Sequence, residues 1–431
     1  MPGIERLARD EGVVFTEAYA PGPLSPSSHA AMLTGQTPSS VGMYEAHPYV
    51  ESPPPTIATE LGSGFDTFLI TGNEWVFQGL DADFDDTIDL GRQYLVSHDA
   101  LDPAKYFTIN ATRLTAFIRD AIKQGVLLDS LRNLLAYRTH SGYAIQPRKA
   151  GDSEEYQSAT VQADHIRRWL HPRDHGFVFA NFMDVHAPIV VSDAALARFG
   201  DGDEPLPVGQ PSERHLSDDQ KSYDVDSMER LYHAAVWDVD RKLTPLIEEL
   251  VADDALVILT ADHGRVDTGS AYSDQRLHVP LVIFDPDSPA STVDNTVSIR
   301  SIGTTILQRL KVGSSRFEGR SLLRVADDQT CITEVIHHPN EVFEETQRVD
   351  ITRLTDKPDA EIQHDVVIRC GDTVAKQIGR EFSCHPSGSA VCDRFRALVD
   401  ELRSHSVSGT RPGGIDYDPV TVRRLEELGY L

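Results

Sequence analysis

Lysine is scarce in this chain of 431 residues, occurring only eight times. Lys and Arg together number 40 against 67 Asp and Glu, a formal charge of −27 at pH 7. Such an excess repels nucleic acid and anionic membrane surfaces, and so excludes both as partners held by charge. An acidic, lysine-poor surface points to a high-salt host, where dense carboxylates hold water and are screened from one another. Cysteine is also rare. Cys331, Cys370, Cys384 and Cys392 all lie in the last quarter, and none forms a C-x-x-C pair. That argues against a zinc site at Cys384, His385 and Cys392 and leaves reduced structural thiols as the expectation. No apolar run approaches the roughly 20 residues of a spanning helix. The stretch from Met1 to Arg9 is charged and lacks the apolar region of a signal peptide. The expectation is a soluble, cytoplasmic protein with no membrane insertion.

What is present is an alternation of strand and helix patterns, the signature of a sheet covered by helices on both faces. Apolar runs at Phe65 to Thr71, Gly176 to Met183, Ala255 to Thr260 and Val279 to Phe284 suit strands buried on both sides. Thr160 to Leu170 and Met228 to Leu250 carry helical periodicity. The region 94–158 reads as an insertion or cap with a helix over Ile109 to Gln124, and Gly200 to Asp226 as an exposed loop. After Leu323 the pattern shifts to short strands, with Val366 to Cys370 and Thr373 to Ile378 flanking a Gly371-Asp372 turn. A closing helix is expected over Pro419 to Leu428. The chain thus divides into an α/β domain over 1–323 and a small subdomain over 324–431. Asp81-Ala82-Asp83-Phe84-Asp85-Asp86 mimics the start of a calcium loop. It lacks the glycine at the sixth place and has Arg92 where the closing glutamate belongs, so it reads as a solvated acidic turn.

Two places carry chemistry. Ser25 is read as the N-cap of a helix, with Pro26 at the first helical position, Ala30 to Leu33 as helix formers and Gly35 as its stop. The free N–H groups and dipole of such a helix attract an anion and favour an alkoxide on Ser25. An ordinary capped helix is the alternative. The second place is the run Ala255 to Ala261, which ends in Asp262-His263-Gly264, two metal-ligand types at the carboxyl end of a strand. Gly176 to Met183 is likewise followed at once by Asp184, His186 and Pro188.

These segments, in this order, resemble the sulfatases of the alkaline phosphatase superfamily. The likeness is carried by Ser25 with Leu33-Thr34-Gly35, by Met183-Asp184-Val185-His186-Ala187-Pro188 and by Thr260-Ala261-Asp262-His263-Gly264. It continues through Leu277-His278-Val279-Pro280-Leu281-Val282, Phe317-Glu318-Gly319-Arg320-Ser321-Leu322 and the closing Leu425-Glu426-Glu427-Leu428-Gly429-Tyr430-Leu431. The resemblance implies a mostly parallel sheet with helices on both faces, followed by a small C-terminal antiparallel sheet and helix. It also implies hydrolysis of sulfuric esters, or of phosphate esters as in the related phosphatases and phosphodiesterases. Ser25 falls on the nucleophile. Asp262 and His263 fall on a metal pair that with the Ser25 oxygen would bind a divalent cation, whether calcium, magnesium, manganese or zinc. His186 and His278 fall near the substrate, where a histidine could donate to the transferred group or protonate the leaving alcohol. Asn73 is a candidate oxyanion donor. The implied substrate is a small anionic ester, such as a sulfated saccharide.

Three departures from the family pattern qualify these roles. Conversion of the nucleophile to formylglycine is associated with proline two places on and arginine four places on, where this chain has Ser27 and His29. Ser25 is therefore expected to act unmodified, with His29 facing the anion in place of the arginine. Family members open with an apolar strand ending in an aspartate pair that completes the metal site, whereas the first residues here resemble the stretch that follows it. Ser25, Asp262 and His263 alone are too few ligands for a hard dication, so a catalytically impaired binding protein of the same fold is the rival expectation. The loop from Gly264 to Leu277 contains Arg265 and Arg276 but neither lysine nor histidine, and Arg265 is the expected substitute for a substrate-binding cation.

Overall fold

The computed structural model describes residues 1–50, 52–90, 100–101, 103, 106, 114–142, 159–186, 189–200, 206–208, 225–265, 270–313, 316–317, 319–337, 362–388 and 390–404. Along them run α1 (Pro2–Glu11), β1 (Val13–Phe15), β2 (Ala18–Tyr19), α2 (Ser25–Thr34), α3 (Pro38–Val41), α4 (Ile57–Leu61), β3 (Asp66–Thr71) and β4 (Asp86–Asp89). Next come α5 (Leu114–Lys123), α6 (Leu127–Gly142), α7 (Ala159–Leu170), β5 (Gly176–Asn181), α8 (Asp193–Phe199), α9 (Val225–Ala252), β6 (Val257–Thr260), α10 (Asp274–Leu277) and β7 (Leu281–Phe284). The remainder is β8 (Ser291–Val293), β9 (Val297–Ser298), α11 (Ile302–Arg309), β10 (Cys331–His337), β11 (Gln363–Cys370), β12 (Thr373–Ile378), β13 (Glu381–His385) and α12 (Ala390–Ser404).

The four apolar runs are β3, β5, β6 and β7. β3 pairs in parallel with both β4 and β5, because each connection crosses over the sheet rather than turning back. The second sheet has the order β6-β7-β1-β8 and is mixed. β1 and β8 are parallel, but β7 is antiparallel to both β1 and β6. The reversal follows from the connection: β6 reaches β7 through a return loop carrying only the single turn α10, with no crossover helix.

Helices cover both faces. On one side α1 and α9 bury Ile4, Leu7, Leu243 and Ile247 against Phe284, while α7 and α9 bury Ile166 and Leu246 against Phe68 and Ile70. On the other side α2, α4 and α11 bury Leu33, Ile57 and Leu307 around Leu69. Truncating one such side chain to alanine costs about 2–5 kcal/mol. β5 and β6 are both edge strands of their sheets, and both line one cavity of about 1820 Å³.

β10 to β13 form an antiparallel meander in which Cys370 faces Thr373 across the Gly371-Asp372 turn. α12 packs Phe395, Val399 and Leu402 onto Val366, Ile368 and Ala375 of that sheet. Cys384 at the end of β13 is joined by a disulfide to Cys392 in the first turn of α12. This corrects the expectation of four reduced thiols, since a strand end and a helix start brought together by the turn between them place the pair in bonding range. Cys331 and Cys370 remain free. The acidic turn is also more than a solvated one: Asp85 accepts from the backbone and hydroxyl of Thr67, and Asp86 accepts from the Trp169 indole. No helix among the described residues is long and apolar enough to cross a membrane. About half of the 94–158 cap, most of the 200–226 loop, Pro188 and the Pro419 to Leu428 helix lie outside the described residues.

Candidate active site

α2 is a short helix whose ten residues are all buried. Its N-cap is Leu24, and Ser25 is the first helical residue, one place later in the helix than the capping pattern predicts. The reason is that the Ser25 hydroxyl is used elsewhere. It donates to Oδ2 of Asp262 at 2.7 Å rather than accepting from a backbone N–H of its own helix. α2 has no acidic residue in its first turn and no side-chain cap. The partial positive charge of its N-terminus, roughly half an elementary charge, is therefore not offset by the helix's own side chains. Gly35 ends the helix in the left-handed conformation, as expected.

Asp262 and His263 stand just past β6. Ser28, one turn along α2, donates its hydroxyl to the Asp262 carbonyl at 2.7 Å, which locks the helix to this loop. Gly264 donates its N–H to the Arg276 carbonyl at 2.7 Å. A Cβ on Gly264 would sit 2.0 Å from the Gln275 carbonyl oxygen, so only glycine allows this approach. The imidazole of His263 is oriented by the Gly264 carbonyl, 2.7 Å from Nδ1. A carbonyl only accepts, so Nδ1 carries a hydrogen, and in the neutral ring the lone pair is on Nε2. That lone pair lies 3.4 Å from the Ser25 oxygen and 3.5 Å from Asp262 Oδ2. Burial pushes the Asp262 carboxyl up, but His263, His29, the Ser25 hydroxyl and the His263 backbone N–H outweigh it and hold Asp262 below the usual carboxylate range. An ionised carboxylate, an imidazole lone pair and a hydroxyl thus converge at one end of the cavity.

His29 is buried one turn along from Ser25. Its Nδ1 lies 2.9 Å from the Ser25 carbonyl and 3.5 Å from Asp262 Oδ2. Burial drives its pKa down despite the attraction of Asp262, so it stands as a neutral Nδ1–H tautomer. Its Nε2 is buried without a hydrogen-bond partner among the described residues. His29 therefore brings no positive charge of the kind an arginine at this place supplies.

His186 and Asn73 line the same cavity, as do Arg265 and Arg276. Asn73 Oδ1 caps the backbone N–H of Trp75 at 3.1 Å. The Arg265 guanidinium lies over the Tyr232 ring, 4.6 Å from its centroid, and Arg276, although 2 % exposed, reaches the Arg265 carbonyl through Nε. Asp184, two residues before His186, is pushed up by burial against the pull of Lys242. It holds the N-terminus of α7 through the Ala159 N–H at 3.0 Å, which makes it a structural carboxylate. The structure does not bring His278 into this group. His278 is exposed, its Nε2–H donates to the Thr16 carbonyl at 2.7 Å, and its ring leans on Tyr19. Asn181 at the end of β5 was not singled out by sequence, yet it lines the cavity and accepts from Thr71 at 3.0 Å. A polar residue closing an apolar strand was its only signal.

Ser25 Oγ, Asp262 Oδ2 and His263 Nε2 suit a divalent cation in chemistry and mutual spacing. They supply one carboxylate, one imidazole and one hydroxyl. Among the described residues no three His, Cys, Asp or Glu side chains form a metal-holding group. The set fits one side of a metal's coordination sphere and leaves the other side facing the cavity.

Comparison with solved structures bears on the same architecture. A phosphonate monoester hydrolase of Agrobacterium radiobacter matches with a TM-score of 0.60 at 17% identity, covering 94% of this chain and 91% of that one. A protein solved in complex with its substrate D-glucosamine-2-N,6-O-disulfate matches with a TM-score of 0.58 at 14% identity, covering 96% and 94%. An alkaline phosphatase superfamily protein of Vibrio parahaemolyticus matches with a TM-score of 0.52 at 16% identity, covering 99% and 82%. Identities this low speak for the fold alone. The sulfatase family model matches residues 1–312, which is most of the chain, and this protein belongs to the sulfatase family.

Proposed function

We propose that this protein hydrolyses sulfate esters, or phosphate esters of similar shape, by attack of the unmodified Ser25 hydroxyl. The observation that carries this is the 2.7 Å hydrogen bond from Ser25 to the ionised Asp262 at the N-terminus of α2, whose own first turn holds no acidic residue. Asp262 draws the proton from Ser25 as its oxygen attacks sulfur or phosphorus. The ester oxygen leaves with a proton, for which His186 is the proposed donor, and water then cleaves the serine ester. The N–H groups of the first turn of α2 receive the negative charge that grows on the transferred group. Ser25, Asp262 and His263 would hold a divalent metal, which when bound lowers the cost of an alkoxide and of charge on the ester oxygens. Arg265 and Arg276 supply positive charge to the same cavity. Sulfated saccharides are the proposed natural class, by analogy with the glucosamine disulfate bound by the related structure. The catalytic unit is proposed to span 1–323 and the smaller one 324–431.

The test is turnover of an aryl sulfate and of a bis-aryl phosphate, with manganese, calcium or zinc added, against a Ser25→Ala control. Turnover above that control, falling by about 10³-fold in Asp262→Asn, supports the proposal. Intact-peptide mass spectrometry of the Ser25 segment must show serine, since an aldehyde there would overturn direct serine attack.

A non-catalytic binding protein of the same fold is the second reading, favoured by the one-sided donor set. Wild-type protein no faster than Ser25→Ala, but still retaining sulfate, would decide for it.

A further inference from the structure

Glu45 is a buried carboxyl that the ester chemistry does not use. It is 3 % exposed and lies in the turn between Tyr44 and His47. One carboxylate oxygen meets the Ser27 hydroxyl in a short hydrogen bond, and the other accepts the Ile336 N–H of β10 at 3.2 Å. Ser27 is the third residue of α2, and its hydroxyl lies 3.0 Å from the Leu24 carbonyl, the N-cap that precedes Ser25. The backbone of Gly22 closes on the other side of Ser27, where a Cβ would come within 1.9 Å of its oxygen. Ser27 is therefore held from two sides, and Glu45 is one of them.

The same strand β10 grips the chain before and after α2. Glu334 N–H donates to the Pro21 carbonyl at 3.0 Å, and Thr333 donates to the Ala20 carbonyl at 2.7 Å. On the far side of the helix, Ser39 donates to Glu334 through its N–H and its hydroxyl, and the Ala46 N–H donates to the Ile336 carbonyl at 3.0 Å. The C-terminal sheet thus brackets the helix that carries Ser25, and Glu45 extends from the bracket into the first turn.

We propose that Glu45 is a positioning residue for Ser25, coupling the first turn of α2 to the C-terminal sheet through Ser27 in a way that depends on its own protonation.

The mechanism follows from counting protons. Ser27 has one hydroxyl hydrogen and two acceptors, the Leu24 carbonyl and Glu45. Ionised Glu45 takes that hydrogen, and the Leu24 carbonyl keeps only the Ser28 N–H at 3.1 Å. Protonated Glu45 donates to Ser27 instead, so the Ser27 hydrogen returns to Leu24 and the turn below Ser25 gains a bond. Ionised Glu45 also places a negative charge beside the N-terminus of α2 and offsets the field that draws an anion to Ser25. Among the described residues the titratable groups coupled to Glu45 are Tyr44 beside it, which also feels Glu334 of β10, and His337 on β10, while α2 meets it through the Ser27 hydroxyl. Burial pushes the Glu45 carboxyl up to about 7, moderated by Ser27, the backbone N–H groups and His337, so both states occur near neutrality.

This inference rests on Ser25 being the nucleophile for its effect on turnover, but its structural core can be read without activity. The experiment is hydrogen exchange by mass spectrometry on peptides covering Gly22 to Thr34 of the full chain, in wild type, Glu45→Gln, Ser27→Ala and the double variant. After correction for intrinsic rates, wild-type protection is expected to fall about fivefold between about pH 6 and about pH 8. Glu45→Gln, whose amide donates to Ser27 as the protonated acid does, holds the high level throughout. Ser27→Ala and the double variant lose protection equally and without a pH step. In turnover assays kcat/KM carries the wild-type step, and Glu45→Gln removes it. A flat wild-type exchange profile, or the same step in Glu45→Gln, overturns the role of Glu45. An exchange step without any turnover would sink the hydrolase instead and leave Glu45 as a coupling residue.

Discussion

The imidazole of His263 is held at Nδ1 by the carbonyl of its own neighbour, Gly264, across 2.7 Å. One backbone atom therefore fixes both the ring's orientation and the tautomer that leaves Nε2 free to bind. The carbonyl stays in place because the Gly264 N–H is bonded to Arg276 and its bare Cα lies against Gln275. Gly264→Ala is expected to force the loop from α10, lower stability by about 2 kcal/mol and cut turnover about tenfold or more. His263→Ala should abolish metal-dependent turnover while leaving the melting temperature of the metal-free protein within a few degrees, as about 1 kcal/mol would produce. Thermal melts with and without manganese separate the two. A Gly264→Ala protein with unchanged turnover would show that the Gly264 carbonyl does not set the ligand.

Much of the architecture was legible because burial on both faces leaves a plain mark. Phe65 to Thr71, Gly176 to Met183, Ala255 to Thr260 and Val279 to Phe284 each contain a strand, and Thr160 to Leu170 and Met228 to Leu250 each match a helix to within a few residues. The antiparallel direction of β7 was not legible, since it depends on the length of a return loop and not on any local pattern. At the site, Ser25, Asp262 and His263, which the structure brings together, could be named as candidates because chemistry-bearing residues at a helix start and a strand end are visible in sequence. The one-residue shift of the cap was hidden, because the competing acceptor for Ser25 is 237 positions away. His278 looked like a substrate-side histidine for the same reason in reverse: its partner, the Thr16 carbonyl, is 262 positions distant. Glu45 carried no signal at all, being one more glutamate in an acidic chain.

Glu45 also makes a prediction about stability. Its ordinary value is 4.5 and burial raises it to about 7 in the folded chain, so between these values the folded state binds more protons than the unfolded one. Stability from this group is present in full below about pH 4.5, falls as pH rises through the window to about 7, and is constant above it. Asp262 and Asp365, held below the usual range, act in the opposite sense and lose their contribution only as pH drops through the acid range. The difference between wild-type and Glu45→Gln unfolding free energies should therefore change across about pH 4.5 to 7, by on the order of 3 kcal/mol, and be flat beyond. Denaturant titrations at half-unit pH steps measure it. A difference curve with no slope in that window would place Glu45 in contact with water.

The Cys384–Cys392 bond closes a loop of eight residues between β13 and α12. Chain entropy for so short a loop gives at most about 2–3 kcal/mol. Cys392→Ser, or reduction, should therefore lower the melting temperature of the C-terminal sheet while leaving kcat and KM unchanged, because neither cysteine lines the cavity that holds Ser25. A loss of turnover on reduction would mean that the sheet transmits strain to the nucleophile helix.

The acidic surface bears on the conditions under which any of these assays will work. A net charge of −27, from 67 Asp and Glu against 40 Lys and Arg, leaves an excess of 27 carboxylates with no Lys or Arg to balance them, so the folded chain is compressed against its own repulsion. Raising ionic strength from about 0.1 M to 1 M shortens the screening length from about 10 Å to 3 Å and removes most of that repulsion. Paired groups such as Lys242 with Asp238, at 2.9 Å and buried, feel little of this change. The melting temperature is expected to rise steadily with sodium or potassium chloride and to go on rising beyond about 0.2 M, where an ordinary charge balance has already been screened. Chloride and sulfate salts at equal ionic strength distinguish screening from anion binding at α2, since only sulfate should also compete with substrate. A melting temperature that is independent of chloride above about 0.2 M would mean that the acid excess does not serve stability in salt.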